Sequence, residues 1–417
     1  MIKNMNDEAL PAGHPSVTSH TMQSRGQSFV SRKVGAIIEE MVELAGIQLG
    51  RDMIVHDPAM WVDWADRGIL AIGESYMERQ WDSPHVDRVM AKLAAMPSEQ
   101  KRRLFRSWKT RLLLAMAVLC NRQRRKYELE VAEKHYDLGN DFFQSWLDTN
   151  MQYSCGYWND AATLDDAQLA KMKLIAEKLK LAPGMSVLDI GCGWGGMGRY
   201  LARNYGVTVT GLNISTEQLR WCRQRAAEEG LTESFIPLHQ SYRDISGSWD
   251  RIITVGMIEH VGPKNYAEFF DICRRSLKDG GIMVLQTIGA NISKKVLDDR
   301  WLNRYIFPGG TLPSIAQLSR AVEKKLVIED LQNFGPDYDR TLMAWYDNFS
   351  KVKDTLHMSD RFLRMWEFYL LYCASGFRER KSQLWQFVFT KKNKERYEAL
   401  HGLPHDAHGS TSRSGSL

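Results

Sequence analysis

Apolar residues change their spacing along this chain, and the changes divide it. Over residues about 30–130 they recur at helical intervals. Ile37, Ile38, Met41, Val42 and Leu44–Ala45 form one stripe, which Gly46 breaks. Leu169, Met172, Ile175, Ala176 and Leu179 form another, which Pro183–Gly184 ends. Beyond it, short apolar runs alternate with helical stretches. SVLDI (186–190), VTVTGL (207–212), FIPLH (235–239), RIITVG (251–256), GIMVLQTI (281–288), LVIEDL (326–331) and QLWQFVFT (383–390) read as strands. Helices are expected at 196–204, at 216–229 behind a Ser215 cap, at 264–277, near 340–352 and over 360–379. Such alternation predicts an α/β fold with a Rossmann-like, mostly parallel seven-stranded sheet covered on both faces. A smaller, mainly helical domain precedes it.

Composition narrows the class. At 417 residues the chain is long for one domain, and 44% apolar with 25% charged residues excludes disorder over most of its length. A net charge of +5 excludes a histone-like or polyacidic protein, so no nucleic-acid partner is expected and any anionic partner must meet a local patch. One such patch exists. Residues 101–126 carry Lys101, Arg102, Arg103, Arg106, Lys109, Arg111, Arg122, Arg124, Arg125 and Lys126, no acid, and the apolar run Leu112–Cys120 between them. The pattern fits peripheral attachment to an anionic membrane. It also fits a solvated helix or a homodimer contact with a buried Leu stripe. No run of about 18 apolar residues is present, so no helix is expected to span a bilayer. No secretory signal is visible at the N-terminus. Cysteines 120, 155, 192, 222, 273 and 373 are scattered without a C-x-x-C pair. That argues against a disulfide scaffold or a zinc knuckle and suits a reducing cytoplasm. Together with the basic patch, the expectation is a cytoplasmic protein peripheral at the inner face of the membrane.

The turn after SVLDI carries the chemistry: Asp189-Ile-Gly191-Cys-Gly193-Trp-Gly195-Gly196. Glycines 191, 193 and 196 match the dinucleotide pattern G-x-G-x-x-G, so a dehydrogenase must be weighed. Two features favour S-adenosylmethionine instead. Asp189 and Gly195 complete D-x-G-x-G-x-G, the pattern of class I methyltransferases. The second strand ends in Asn213, not in the acid that would hold an NAD ribose. A carboxylate near a cationic sulfonium is chemically sensible.

With these in place, longer strings become recognisable. KHYDLGNDFF (134–143), MQYSCGYW (151–158), VLDIGCGWGG (187–196), VGMIEHVGPKNY (255–266), RYIFPGG (304–310) and NFGPDYDRTLMAWY (333–346) resemble the cyclopropane-fatty-acyl-phospholipid synthases. GESYMERQW (73–81) resembles that family's N-terminal domain, which the mycolic-acid cyclopropane synthases lack. Polar composition marks tails expected to be disordered, at 1–28 and, for the most part, at 396–417. The resemblance implies a lipid- or membrane-associated helical domain with a basic linker at 29–127 and a methyltransferase domain at 128–395. It implies methyl transfer from S-adenosylmethionine to a cis double bond of an unsaturated phospholipid, then loss of a proton to bound bicarbonate and ring closure. It places Cys155, Glu259, Gln286, Ile288 and Tyr338 at the bicarbonate. It places Tyr153, Ser154, Gly191, Gly193, Asn213, Ile214 and Gln218 at the cofactor, and the residues themselves add Asp189, at the strand end near the methionine, and Gln240, beside Ser241. A carbocation demands a dry, aromatic wall, for which Tyr153, Tyr157, Trp158, Tyr305, Phe307, Tyr338, Trp345 and Tyr346 are candidates. Two positions depart from the family: Gln286, where many members carry His, and Ser241, where Asp is usual. Gln286 keeps open a related C- or N-methyltransferase without ring closure.

Overall fold

A computed structural model describes residues 29–97, 99, 139–294 and 299–400. The N-terminal tail, the basic stretch 101–126, the expected domain boundary at 127/128 and residues 401–417 lie outside the described residues. Residues 396–400 of the expected C-terminal tail are described, and Tyr397 there is buried and donates to the Lys178 carbonyl (2.9 Å), so the ordered chain runs further than expected.

The chain opens with helices Phe29–Leu44, Met60–Arg67, Ile69–Met77 and Val86–Ala95. Strands β1 (Ile54–Val55) and β2 (Trp81–Asp82) pair antiparallel among them. Two residues are too few for an alternating pattern, so no sequence signal marked this pair. The main sheet comprises β3 (Ser186–Ile190), β4 (Thr208–Asn213), β5 (Phe235–His239), β6 (Trp249–Val255), β7 (Leu277–Ala290), β8 (Val327–Asn333) and β9 (Ser382–Thr390). Their order is β5-β4-β3-β6-β7-β9-β8. All pairings are parallel except those of β9, which runs antiparallel to β7 and β8. Val187, Leu188 and Ile190 are buried, as expected of a central parallel strand covered on both faces. The order reverses direction at β3 and β6, so their carboxyl ends open the crevice where such sheets take ligands.

Helices Gly335–Val352 and Asp360–Arg378 connect β8 to β9 and pack on one another. The N-terminal helices Ile69–Met77 and Val86–Ala95 lie against the second of these. They share its core: Trp61, Trp64, Tyr76 and Trp81 belong to one apolar cluster with Trp301, Trp345 and Phe368. The approach is close. A Cβ on Gly73 would lie 2.3 Å from Nε1 of Trp301, so only glycine fits there. Charged groups rim the contact. Arg364 donates to the Tyr76 carbonyl (2.7 Å) and to Asp82 (2.6 Å), and Arg378 joins Asp87 (2.6 Å) to Asp339 (2.9 Å).

Two expected apolar stripes differ in detail. Leu44 and Leu169 turn to solvent, 52% and 42% exposed. The helix Leu164–Lys178, held at its start by a Thr163–Asp166 capping box, stops before Pro183. It buries Gln168, Lys171 and Lys178 alongside its apolar residues, so its buried face is wider than the stripe. Among the described residues, no helix is long and apolar enough to cross a membrane.

Candidate active site

The glycines of the β3 turn perform different tasks. Gly191, Gly193 and Gly195 have φ of +85°, +54° and +74°, the left-handed region that side chains strain to enter. Gly195 and Gly196 are also sterically required: added Cβ atoms would lie 2.7 Å from Phe235 and 2.1 Å from the Asn150 carbonyl oxygen. Gly191 lines the cavity described below. Gly193 does not, and a Cβ there meets nothing within 4 Å. Its carbonyl instead accepts from Asn213 Nδ2 (3.0 Å), which also donates to Gln218 Oε1 (2.8 Å), while Asn213 Oδ1 accepts the Ser215 amide (2.9 Å). Both amide hydrogens of Asn213 are therefore engaged in joining the turn to the helix Thr216–Glu228. Only its oxygen and the Gln218 NH2 remain for a ligand.

Asp189 lies behind the cavity wall, 3% exposed, with Oδ2 lacking any hydrogen-bond partner. Burial pushes its carboxyl up to about 7, opposed by the charge of Lys171. Lys171 is itself fully buried and donates to Gln152 Oε1 (2.6 Å) and Ser154 Oγ (3.0 Å). Burial lowers it to about 8, against the pull of Asp148. This lysine ties segment 152–154 to the β3 end, and sequence reading missed it because it sits in an amphipathic stripe.

A cavity of about 1380 Å³ runs from the β3 turn to the N-terminal helices, where Ala94 lines it. That exceeds the ~300–1,000 Å³ of ordinary small-molecule clefts. Tyr153, Ser154, Gly191, Asn213, Ile214, Gln218 and Gln240 line the turn side, together with Ser241, Tyr242 and Arg243. Ile214 is 74% exposed there. Gln240 donates to the Asp244 carbonyl (2.7 Å), and Ser241 caps the short turn Tyr242–Asp244.

Of the eight aromatic candidates, Tyr153, Tyr305, Phe307 and Tyr338 line the cavity. Tyr157, Trp158, Trp345 and Tyr346 do not, and pack behind it as core. The rest of the aromatic wall was missed. Phe362, Trp366, Tyr369 and Tyr372 project from one face of Asp360–Arg378, with Phe143 and Trp194 beside them. Their spacing reads equally as helix core, so the sequence held no signal to separate the two. Tyr153 donates to the Tyr369 hydroxyl (2.8 Å). Tyr305 donates to Glu74 (2.9 Å), which ties the loop 304–310 to the N-terminal helices.

At the β6–β7 side the five remaining residues converge. Cys155, from the extended segment after Met151, presents its carbonyl to Gln286 Nε2 of β7 (3.4 Å). Gln286 Oε1 accepts from Gln386 of β9 (3.0 Å). Glu259, on the turn Ile258–His260 after β6, accepts the Ile288 amide at Oε1 (2.8 Å). The backbone of Ile288 thus already holds this carboxyl, which limits the direct ligand contact the resemblance assigns to it. Glu259 Oε2 is buried with no hydrogen-bond partner, although the Thr287 hydroxyl, whose own bond goes to the Ile288 carbonyl, lies beside the carboxyl. Burial pushes Glu259 up to about 7. Tyr338, in the first turn of Gly335–Val352, also lines this end. Burial raises its phenol well above the ordinary value, and Cys155, Tyr153 and Glu259 add to the shift. The Cys155 thiol is fully buried, donates to the Gly156 carbonyl (3.1 Å) and is raised far by desolvation, so it is no nucleophile. His260 also lines the cavity, and burial lowers its pKa. Among the described residues no cluster suits a metal ion.

Comparison with known proteins agrees with this geometry. A family model described as mycolic acid cyclopropane synthetase matches residues 123–387. The cyclopropane-fatty-acyl-phospholipid synthase of Escherichia coli (strain K12) is 45% identical over 361 residues, 85% of this chain and 93% of that protein. A probable fatty acid methyltransferase of Pseudomonas putida is 35% identical over 284 residues, 64% of this chain and 70% of its own. The crystal structure of the mycolic acid cyclopropane synthase CmaA1 complexed with SAH and CTAB superposes with a TM-score of 0.58 at 33% identity, covering 62% of this chain and 97% of that one. The sheet order, the glycine turn at the β3 end and these matches together make the chain a member of the cyclopropane synthase family of class I, S-adenosylmethionine-dependent methyltransferases.

Proposed function

We propose that the enzyme methylates one carbon of a cis double bond in an unsaturated phospholipid acyl chain and closes a cyclopropane ring, with bicarbonate bound beside the substrate. One observation carries this reading: Glu259 Oε2, buried and unpartnered on a carboxyl that burial holds neutral up to about pH 7. A neutral carboxyl can donate a hydrogen bond to an anion, whereas two anions at close range repel. The second N–H of Gln286 and the protonated phenol of Tyr338 add donors at the same end. That donor set suits a small oxyanion. Bicarbonate held there supplies the base for the last proton.

The chain's residues serve the rest. Tyr153, Ser154, Gly191, Asn213, Ile214, Gln218 and Gln240 form the cofactor's wall, and Gly193 and Asp189 shape it from behind. A sulfonium nearby favours the ionised form of Asp189. The alkene π pair attacks the methyl carbon, the S–C bond electrons return to sulfur, and the neighbouring carbon becomes cationic. Tyr153, Phe307, Tyr338 and Tyr369 exclude water and turn aromatic faces to that charge. The C–H pair of the new methyl then closes the ring, and its proton would pass to the bicarbonate that Glu259, Gln286 and Tyr338 hold by their donors. Access to the lipid calls for peripheral contact with an anionic membrane from the cytoplasmic side. The basic stretch 101–126 is the sequence candidate, with a homodimer contact as its other use.

Gln286 favours a second reading, methyl transfer without ring closure, because an amide cannot change charge near neutral pH as His does. Product analysis separates the two. Incubation with S-adenosylmethionine and unsaturated phospholipid vesicles, followed by mass spectrometry of the acyl chains, should show one added CH2 and loss of the alkene. A product that keeps its alkene, or carries a methyl branch, supports the second reading.

A further inference from the structure

We propose that Gln386 is a positioning residue that directs the NH2 end of Gln286 to the anion pocket. The proposal rests on the bicarbonate reading above and deepens it. Glutamine poses a problem that shape cannot solve, because its oxygen and its NH2 group are nearly the same size. Only hydrogen-bond partners decide which end faces an anion. Here the partners form a one-way chain. The Cys155 carbonyl can only accept, so the Gln286 atom 3.4 Å from it must be the nitrogen. Gln286 Oε1 then points away from Cys155 and requires a donor. Gln386 stands directly opposite in the β7–β9 register, and its Nε2 supplies that donor at 3.0 Å. Gln286 and Gln386 are 2% and 0% exposed, so water cannot take over the task.

The far end of the chain shows that this arrangement serves something besides stability. Gln386 Oε1 is buried and has no hydrogen-bond partner. A sequence selected for stability alone would place an apolar side chain there, because an orphaned acceptor is unfavourable. The orphan sits in the β9 strand, away from the reaction, and the unused N–H of Gln286 sits at the pocket. Gln386 thus takes the unsatisfied atom and leaves Gln286 a donor for the anion.

The test measures turnover against bicarbonate in depleted and replenished buffer, for wild type, Gln386→Met, Gln386→Asn, Gln286→Ala and Gln286→Ala/Gln386→Met. Methionine keeps the volume and removes the donor. Asparagine keeps the amide and withdraws it by one methylene, which provides a polar variant if methionine impairs folding. Either change should raise the half-saturating bicarbonate concentration about ten-fold, the low end for losing a hydrogen bond to a charged group. Half-saturation by S-adenosylmethionine and lipid should stay near the wild-type values. In the Gln286→Ala background, Gln386→Met should change bicarbonate dependence no further, because its target is gone. A wild type indifferent to bicarbonate overturns the reading beneath the proposal. A bicarbonate-dependent wild type overturns the proposal alone if the Gln386 variants keep its half-saturation, or if the two changes add in the double variant.

Discussion

Glu259→Gln should stabilise the protein and disable it, and the stabilisation should grow with pH. Burial raises this carboxyl from 4.5 to about 7. A group whose folded pKa lies above its unfolded one gives its full contribution below the unfolded value and loses it as pH rises through the folded one. Stability tied to Glu259 is therefore complete below about pH 4.5 and lost by about pH 8. The shift corresponds to about 3 kcal/mol at ~1.4 kcal/mol per pKa unit. Glutamine keeps the shape, accepts the Ile288 amide through its oxygen and never ionises. Its advantage should be about 1 kcal/mol at pH 5 and about 3 kcal/mol at pH 8. With an unfolding entropy typical of the 328 described residues, the latter raises the thermal midpoint by about 4 °C. Scanning calorimetry of both proteins from pH 5 to pH 8 measures this directly. The variant should bind S-adenosylhomocysteine normally but turn over poorly, because this carboxyl acts at the bicarbonate end of the pocket and not on the nucleotide. Midpoints that stay parallel across the pH range, or a variant less stable than wild type at pH 8, would refute the claim that Glu259 is neutral in its pocket.

Lys171→Met should weaken S-adenosylhomocysteine binding about ten-fold by calorimetry, since it frees Gln152 and Ser154 from their common donor; unchanged affinity would remove Lys171 from the cofactor's support. Cys155→Ala should keep turnover within a few-fold of wild type, because the thiol is buried, protonated and bonded to the Gly156 carbonyl, while the Cys155 carbonyl that Gln286 meets is unchanged; inactivity of a folded variant would contradict this. Gly73→Ala should lower the unfolding free energy by about 1–3 kcal/mol through the clash with Trp301. Turnover should fall with it, because Trp301 begins the helix that leads to Tyr305 and Phe307, and an unperturbed midpoint would show that the domain contact is looser than described.

Much of the sheet was legible because its signal is local. β3, β5 and β9 begin and end within a residue of their apolar runs, and D-x-G-x-G-x-G marked the turn beside the cavity. β7 runs past its apolar core to Leu277 at one end, since Lys278, Asp279 and Gly280 extend it without any apolar alternation. Candidates in short motifs, such as Glu259 after β6, came from resemblance, and Glu259 lines the cavity. What stayed hidden depends on contacts between distant segments. Lys171 looks like a solvated lysine until segment 152–154 folds over it. The aromatic face of Asp360–Arg378 looks like core because half of it is. Gln386 gains meaning only when β9 inserts antiparallel beside β7, a pairing that spacing along the chain cannot announce.

The central claim, ring closure by loss of a proton from the transferred methyl group, is tested most directly with S-adenosylmethionine carrying a CD3 group. The enzyme is incubated with unsaturated phospholipid vesicles in bicarbonate buffer, and the acyl chains are read by mass spectrometry and deuterium NMR. The account predicts a product that has lost one deuteron, keeps the other two as a ring CD2, and carries no alkene. A product that retains all three deuterons in a methyl branch would contradict it.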